Sequence, residues 1–222
     1  MPLEGKEVVY PLHADLHIHT EYSMDSASKI EDIIGRCLKI GINCLAITDH
    51  GTIEGALKMK KIAPFKIIVG EEILTNHGEI IGMFLKENVN NDLSPEETVR
   101  RIREQDGLVY IPHPFDHLRS PLDGHVLEKV ITMVDIVEVY NSRTIFPGDL
   151  AKAEALAQKY GLTRAAGSDA HTLSEIGKSW VGMADFDNGQ DFLNALREGR
   201  IYGHLSNPIV HLYSSIQKIR KR

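Results

Sequence analysis

Histidines and carboxylates recur in tight groups along this chain: Asp15-Leu16-His17-Ile18-His19, Thr48-Asp49-His50, Gly70-Glu71-Glu72, Pro112-His113-Pro114 and Gly167-Ser168-Asp169-Ala170-His171. On an extended strand, side chains two apart point to the same side, so His17 and His19 can grip one ion. Imidazole together with carboxylate suits zinc, manganese or iron. A calcium or magnesium site would be built from oxygen ligands, and a structural zinc site would usually draw on thiolates. A lone histidine near a strand end is more often a hydrogen-bonded core residue than a ligand. Five such groups, each at the same end of a strand, make coincidence a poor account. They also offer more donors than one tetrahedral ion can use, so two or three ions are expected to share the site, with a carboxylate bridging a pair.

The elements that must position these residues are legible around them. Strands are expected at Ala14 to Ile18, Cys44 to Thr48, Lys66 to Glu71, Ile80 to Leu85, Leu108 to Ile111, Ile136 to Tyr140 and Thr163 to Ala166. Segments of helical period alternate with them, the pattern of β-α units around a parallel sheet. Ser28 to Ile40 puts Ile30, Ile33, Ile34, Cys37 and Leu38 on one face, with Ser28 and Glu31 as a capping box and Gly41 as the stop. Ser94-Pro95-Glu96-Glu97 opens a second helix running to about Gln105, and Leu150, Ala153, Leu156, Ala157 and Tyr160 mark a third. In a barrel of parallel strands the carboxy-terminal ends converge on one face, where sites are assembled from residues distant in sequence.

Composition narrows the function. With 222 residues, 25 basic and 31 acidic side chains, the formal charge is −6, and 42% of residues are hydrophobic, as in an ordinary globular protein. An extended nucleic-acid partner is therefore not expected, though a short oligonucleotide remains compatible. No apolar run approaches the roughly 18 residues of a membrane span, and the start has no leader pattern. Cys37 and Cys44, the two cysteines, read as buried reduced thiols and the chain as cytoplasmic. Residues 1–222 read as a single domain, with 212–222 a basic, solvated tail.

Taken in order, Asp15-Leu16-His17-Ile18-His19-Thr20 with Tyr22-Ser23-Met24-Asp25, Ile47-Thr48-Asp49-His50-Gly51, Gly70-Glu71-Glu72-Ile73 and Gly167-Ser168-Asp169-Ala170-His171 resemble the motifs of the PHP (polymerase and histidinol phosphatase) family. The resemblance covers most of the chain. It implies an α/β fold, a distorted (β/α)7 TIM-like barrel, holding up to three divalent metals and hydrolysing phosphate esters. Carried over by position, one metal would take His17, His19, Glu72 and Asp169. Glu72 would bridge to a second that also takes His113, and a third would take Asp25, His50 and His171. Glu72 fits the family's G-x-E-I pattern, with Glu71 the runner-up, since adjacent strand residues point to opposite sides. The sequence departs from the family at Gly78-Glu79, where many members have histidine. Glu79 is the expected ligand there, moving preference from zinc toward manganese or magnesium, and His77 is read as a loop residue.

The resemblance implies a metal-dependent phosphoesterase acting on a small phosphorylated metabolite or nucleotide, with hydroxide generated at the metals attacking phosphorus in line. Asp49 is assigned proton transfer or the orienting of an imidazole, and Arg143, after Tyr140-Asn141-Ser142, a two-pronged hold on substrate phosphate, with Arg119 a weaker choice. His13, His125, His204 and His211 are read as structural and His117 is left open. The competing readings are an exonuclease-like or bisphosphate-nucleotide phosphatase, and a non-catalytic metal-stabilised module.

Overall fold

Alternation of apolar residues along short runs gives the strands, and a computed structural model describes residues 9–221 of the chain. Residues 1–8, where the reading of the chain's start falls, and Arg222 of the expected tail lie outside the described residues. Strands β1 (Leu12–Ile18), β2 (Cys44–Ile47), β3 (Lys66–Thr75), β4 (Gly78–Met83), β5 (Leu108–Ile111), β6 (Ile136–Asn141) and β7 (Thr163–Gly167) stand in one sheet in chain order. The sheet curls until β7 meets β1 again: Asp169 N donates to His17 O (2.8 Å) and His19 N to Ala170 O (3.0 Å). A Cβ on Gly167 would lie 2.3 Å from the His17 Cβ, so only glycine lets this seam close.

β1, β2 and β3 are parallel, as are β5, β6 and β7, whereas β4 runs against both of its neighbours. The expectation of parallel β-α units fails at β4 for a legible reason. Only Asn76 and His77 separate β3 from β4, and a two-residue connection makes a hairpin, since a parallel crossover needs a dozen or more residues. Strands β8 (Ser179–Met183) and β9 (Arg200–Gly203), which the sequence reading missed, extend the sheet beyond β1. The architecture is thus a nearly closed, distorted α/β barrel with an antiparallel flap.

Helices α1 (Ile30–Ile40), α2 (Glu54–Ile62), α3 (Pro95–Arg103), α4 (Gly124–Val130), α5 (Pro147–Tyr160), α6 (Gly189–Arg197) and α7 (Val210–Arg220) complete the described chain. In α1, Ile30, Ile33 and Cys37 are buried, while Leu38 is exposed at the edge of the stripe. Its expected capping box does not form: Lys29 takes the N-cap position, and Ser28 Oγ instead donates to His171 O. The box on α3 does form, Ser94 Oγ accepting from Glu97 N. Both cysteines are buried and unpaired, and burial pushes their thiols up to about 12. No described helix is long and apolar enough to cross a membrane.

The segment read as a solvated tail is helical in α7, with most of its side chains exposed and Gln217 buried. Arg143 Nη2 donates to Val210 O and Ser214 Oγ, both at 2.9 Å, fixing the amino end. At the other end Lys221 Nζ donates to the carbonyls of Glu21, Ser23 and Ser26 at 2.6–2.7 Å. The exposed ammonium thus caps three backbone oxygens.

Candidate metal centre

The pairing of β1 with β2 slips between Asp15 and Ile18, a bulge that re-aims the strand's end. His17 and His19 consequently face one cluster, with ring centroids 5.1 Å apart. The centre of that cluster is Glu72, which lies within β3 where the strand exchanges its partner β2 for β4. Four imidazoles converge on its carboxylate: His113 Nε2 at 3.1 Å, His17 Nε2 at 3.2 Å, His19 Nε2 at 3.3 Å and His50 Nδ1 at 3.5 Å. Asp169 Oδ1 lies 3.3 Å from His19 Nε2 and 3.7 Å from His17 Nε2. Asp25 Oδ2 bridges His50 Nε2 (3.3 Å) and His171 Nε2 (3.2 Å). Glu79 Oε2 stands 3.8 Å from His113 Nε2.

Ligand atoms therefore come together in overlapping groups: His19, Asp25, His50 and His171; His17, His113 and Asp169; His17, His19 and Glu72; Glu72, Glu79 and His113. All nine residues expected as ligands fall in these groups. Asp169 and His113 adopt φ of 53° and 28°, a left-handed conformation that non-glycine residues avoid and that here turns both side chains inward. Glu71 points the other way, where its Oε2 accepts from Val89 N (2.8 Å). His77 is exposed on the β3–β4 turn and pairs with Asp123, and His117 is an exposed loop residue.

The electrostatics describe a site short of positive charge. Burial opposes protonation of His17, yet Asp169, Glu72 and Glu138 outweigh it and hold the ring well above its usual range. The same contest, decided mainly by Glu72, pushes His50 up to about 10. Burial favours the neutral acid at Glu72 and Asp169, but the surrounding imidazoles, and Arg119 beside Asp169, keep both carboxylates ionised. Burial takes His171 down to about 3, with His19 next to it, so this ring stays neutral. Two buried atoms at the middle, His19 Nε2 and Asp169 Oδ1, have no hydrogen-bond partner among the described residues. A convergent set of imidazole and carboxylate donors with orphaned atoms at its heart fits divalent cations.

Two residues assigned to catalysis are committed to protein partners. Asp49 spends both oxygens on Thr20, accepting from its N–H (2.6 Å) and Oγ1 (2.7 Å), and so fixes the loop after β1 instead of reaching the cluster. Arg143 is 2% exposed, with Nη1 on His171 Nδ1 (2.5 Å) and its other nitrogens engaged with Glu175, Val210 and Ser214, so it backs a cluster histidine and anchors α7 instead of facing the cavity. Arg119 is better placed. A tight turn, Arg119 N donating to Asp116 O, folds it back over the cluster, where it pairs with Asp169 and borders the open cavity. That cavity, of about 400 Å³, has Asp25, His50, Glu79 and His171 as its floor and His211, Ser214, Ser215 and Lys218 of α7 as a wall. His211, read as structural, donates from Nε2 to Arg143 O (3.0 Å) while lining this space.

Sequence reasoning missed Glu138. Its Oε1 meets His17 Nδ1 (3.2 Å) and accepts from Tyr110 Oη (2.9 Å), and its Oε2 accepts from His113 N (2.8 Å) and Asn141 Nδ2 (2.9 Å). With His17 Nδ1–H donated to Glu138, Nε2 is turned toward Glu72 and Asp169, so that a cation displacing its proton would meet the lone pair a metal-ligating histidine needs. The available signal was a lone acid inside the apolar run Ile136-Val137-Glu138-Val139.

Residues 147–201 match the family described as PHP-associated. Two uncharacterized proteins of Methanocaldococcus jannaschii are similar over long stretches. One is 36% identical over 197 residues, covering 84% of this chain and 79% of its own, and the other 38% over 143 residues, covering 59% and 84%. A two-domain protein from Bacteroides vulgatus containing a predicted PHP-like metal-dependent phosphoesterase shares the fold, with a TM-score of 0.71 at 15% identity, over 96% of this chain and 72% of that one. The chain belongs to the PHP family.

Proposed function

We propose that this protein is a metal-dependent phosphoesterase hydrolysing a phosphate ester of a small metabolite or nucleotide. The observation that carries the reading is the convergence of four imidazoles on Glu72 beside the orphaned Asp169 Oδ1, under a cavity bordered by Arg119. His17, His19, Glu72 and Asp169 would hold one ion, Glu72, Glu79 and His113 a second, and Asp25, His50 and His171 a third. Zinc, manganese or iron suits the imidazole-rich positions, and manganese or magnesium the one with Glu79. Divalent ions bound there supply an acidified water and positive charge against phosphoryl oxygens.

The chain's own residues do the rest. Arg119, which holds Asp169 through Oδ2 and leaves Oδ1 for a cation, would donate to the non-bridging phosphoryl oxygens of a substrate in the cavity it borders. Glu138 fixes the tautomer of His17. The polar face of α7 limits the alcohol portion of the substrate to what about 400 Å³ accommodates. The buried reduced thiols support a cytoplasmic location. Purified protein loaded with manganese, assayed on an aryl phosphate and on its bis-aryl diester, should turn over at least one of them, and Arg119→Gln should lower kcat/KM. Turnover of neither compound under any of the four metals would overturn the reading.

A further inference from the structure

At the opposite end of β1 the barrel carries a second cavity of about 400 Å³, bordered by His13, Arg36, Lys178, Trp180 and His204 with Ile40, Ile42 and Ile176. His13 precedes His17 by four residues, about 13 Å along an extended strand, so this space is separate from the metal cluster. Among the described residues no carboxylate lines it, although the chain as a whole is acidic at −6. Arg36 Nε is buried without a hydrogen-bond partner among the described residues. Arg36 is half-buried, so this one buried N–H, in a space that also takes in the exposed Lys178, is left for an anion to complete.

The walls define what kind of anion fits. Trp180 is sandwiched, with the His13 ring 4.4 Å from it and the Tyr202 ring stacked at 4.2 Å, so its faces are already covered. The tryptophan is a rigid wall, not a stacking platform. His13 Nδ1 is held at Gly41 O (3.1 Å), which fixes that ring as well. Donors then arrive from α1 (Arg36), from the loop before β8 (Lys178) and from the residue after β9 (His204), while His13, its Nδ1–H given to Gly41 O, is a wall. Several donors in different directions match a phosphate, whose terminal oxygens radiate, better than a planar carboxylate with two. The isoleucines leave room for a compact organic portion.

We propose that this cavity is a binding site for a phosphate group, free or carried by a small molecule, distinct from the metal centre. Trp180 is the single tryptophan of the chain, so its emission reports on this site. Metal-free, full-length protein is titrated with inorganic phosphate, with AMP and with adenosine while tryptophan fluorescence is recorded. A saturable change with phosphate and AMP, and none with adenosine, is expected. A tighter response to AMP than to phosphate identifies an organic phosphate as the ligand, and equal responses identify the free ion. Lys178→Gln, at an exposed position that folding does not depend on, and Arg36→Gln should each raise the apparent Kd at least tenfold, about 1.4 kcal/mol. Arg119→Gln, at the other cavity, should leave it unchanged. The proposal is overturned if neither phosphate compound produces a saturable change, if adenosine alone does, if the response survives Lys178→Gln, or if it disappears with Arg119→Gln.

Discussion

Replacing Glu138 by glutamine separates the role of that side chain in folding from its role at the cluster. All its neighbours are donors as placed: Tyr110 Oη and His17 Nδ1 at Oε1, and His113 N and Asn141 Nδ2 at Oε2. A glutamine must turn its NH2 toward one of these pairs. Facing His113 N and Asn141, it meets a backbone donor that cannot reverse. Asn141 cannot flip freely either, because its Oδ1 accepts from Arg143 N (2.9 Å). That arrangement leaves buried donors unpaired, at about 1–3 kcal/mol of folding stability. Facing Tyr110 and His17, the amide is tolerated by the rotating hydroxyl. His17 must then accept at Nδ1 and carry its proton on Nε2, where the cation needs a lone pair. Loss of such an orienting partner typically costs 10–100-fold in metal affinity, about 1.4–2.7 kcal/mol. Calorimetric titration of manganese into chelator-stripped protein, alongside thermal melts, distinguishes the two outcomes, and nitrogen NMR of the His17 ring reports the tautomer. Manganese affinity within twofold of wild type together with an unchanged melting temperature would refute the role assigned to Glu138.

Three further outcomes follow from the geometry. Glu71 is buried with Oε1 unpartnered among the described residues, and burial pushes its carboxyl up to about 7 despite the hydrogen bond from Val89 N. Because the folded value lies above the unfolded one, its favourable contribution is complete below about pH 4.5 and is lost as pH rises through 7. Wild-type stability should fall across that window by on the order of 3 kcal/mol relative to Glu71→Gln, and parallel urea curves for the two would sink this. Lys221→Met removes the three carbonyl contacts that hold the end of α7. Hydrogen exchange over 210–220 should accelerate at a cost of about 1–2 kcal/mol of local stability, and protection equal to wild type would show that α7 is held by other contacts. Manganese at one hundred times its Kd should stabilise the fold by about 2.7 kcal/mol per site, read as a rise in melting temperature that chelator reverses. His17→Ala should blunt that rise, and an unchanged rise would remove His17 from the ligand set.

Much of the barrel was legible because its strands are short apolar runs closed by the same residue types. The parity of Glu71 and Glu72 could be read from the pleat alone, and the cluster faces Glu72. The antiparallel β4 was not, because strands expected to stop at Glu71 and start at Ile80 hide the two-residue connection. Other features needed contacts that no local pattern encodes. Ser28 looks like a helix cap, but His171 O, 143 residues away, is the partner it finds. Arg143 follows a strand like a substrate clamp and is instead consumed by Glu175 and α7, which leaves Arg119 over the cavity.

What the chain determined by itself is the inventory of donors and the strands that carry them, since residue type and period act over a few positions. The tertiary structure alone decided which partner each polar group met. Glu138 acquires its role from four donors brought in by β1, β5 and β6, and the charge of Lys221 is spent on three carbonyls about two hundred residues earlier. A buried polar group must be satisfied, but what satisfies it is set by the closure of the barrel and not by its neighbours in sequence.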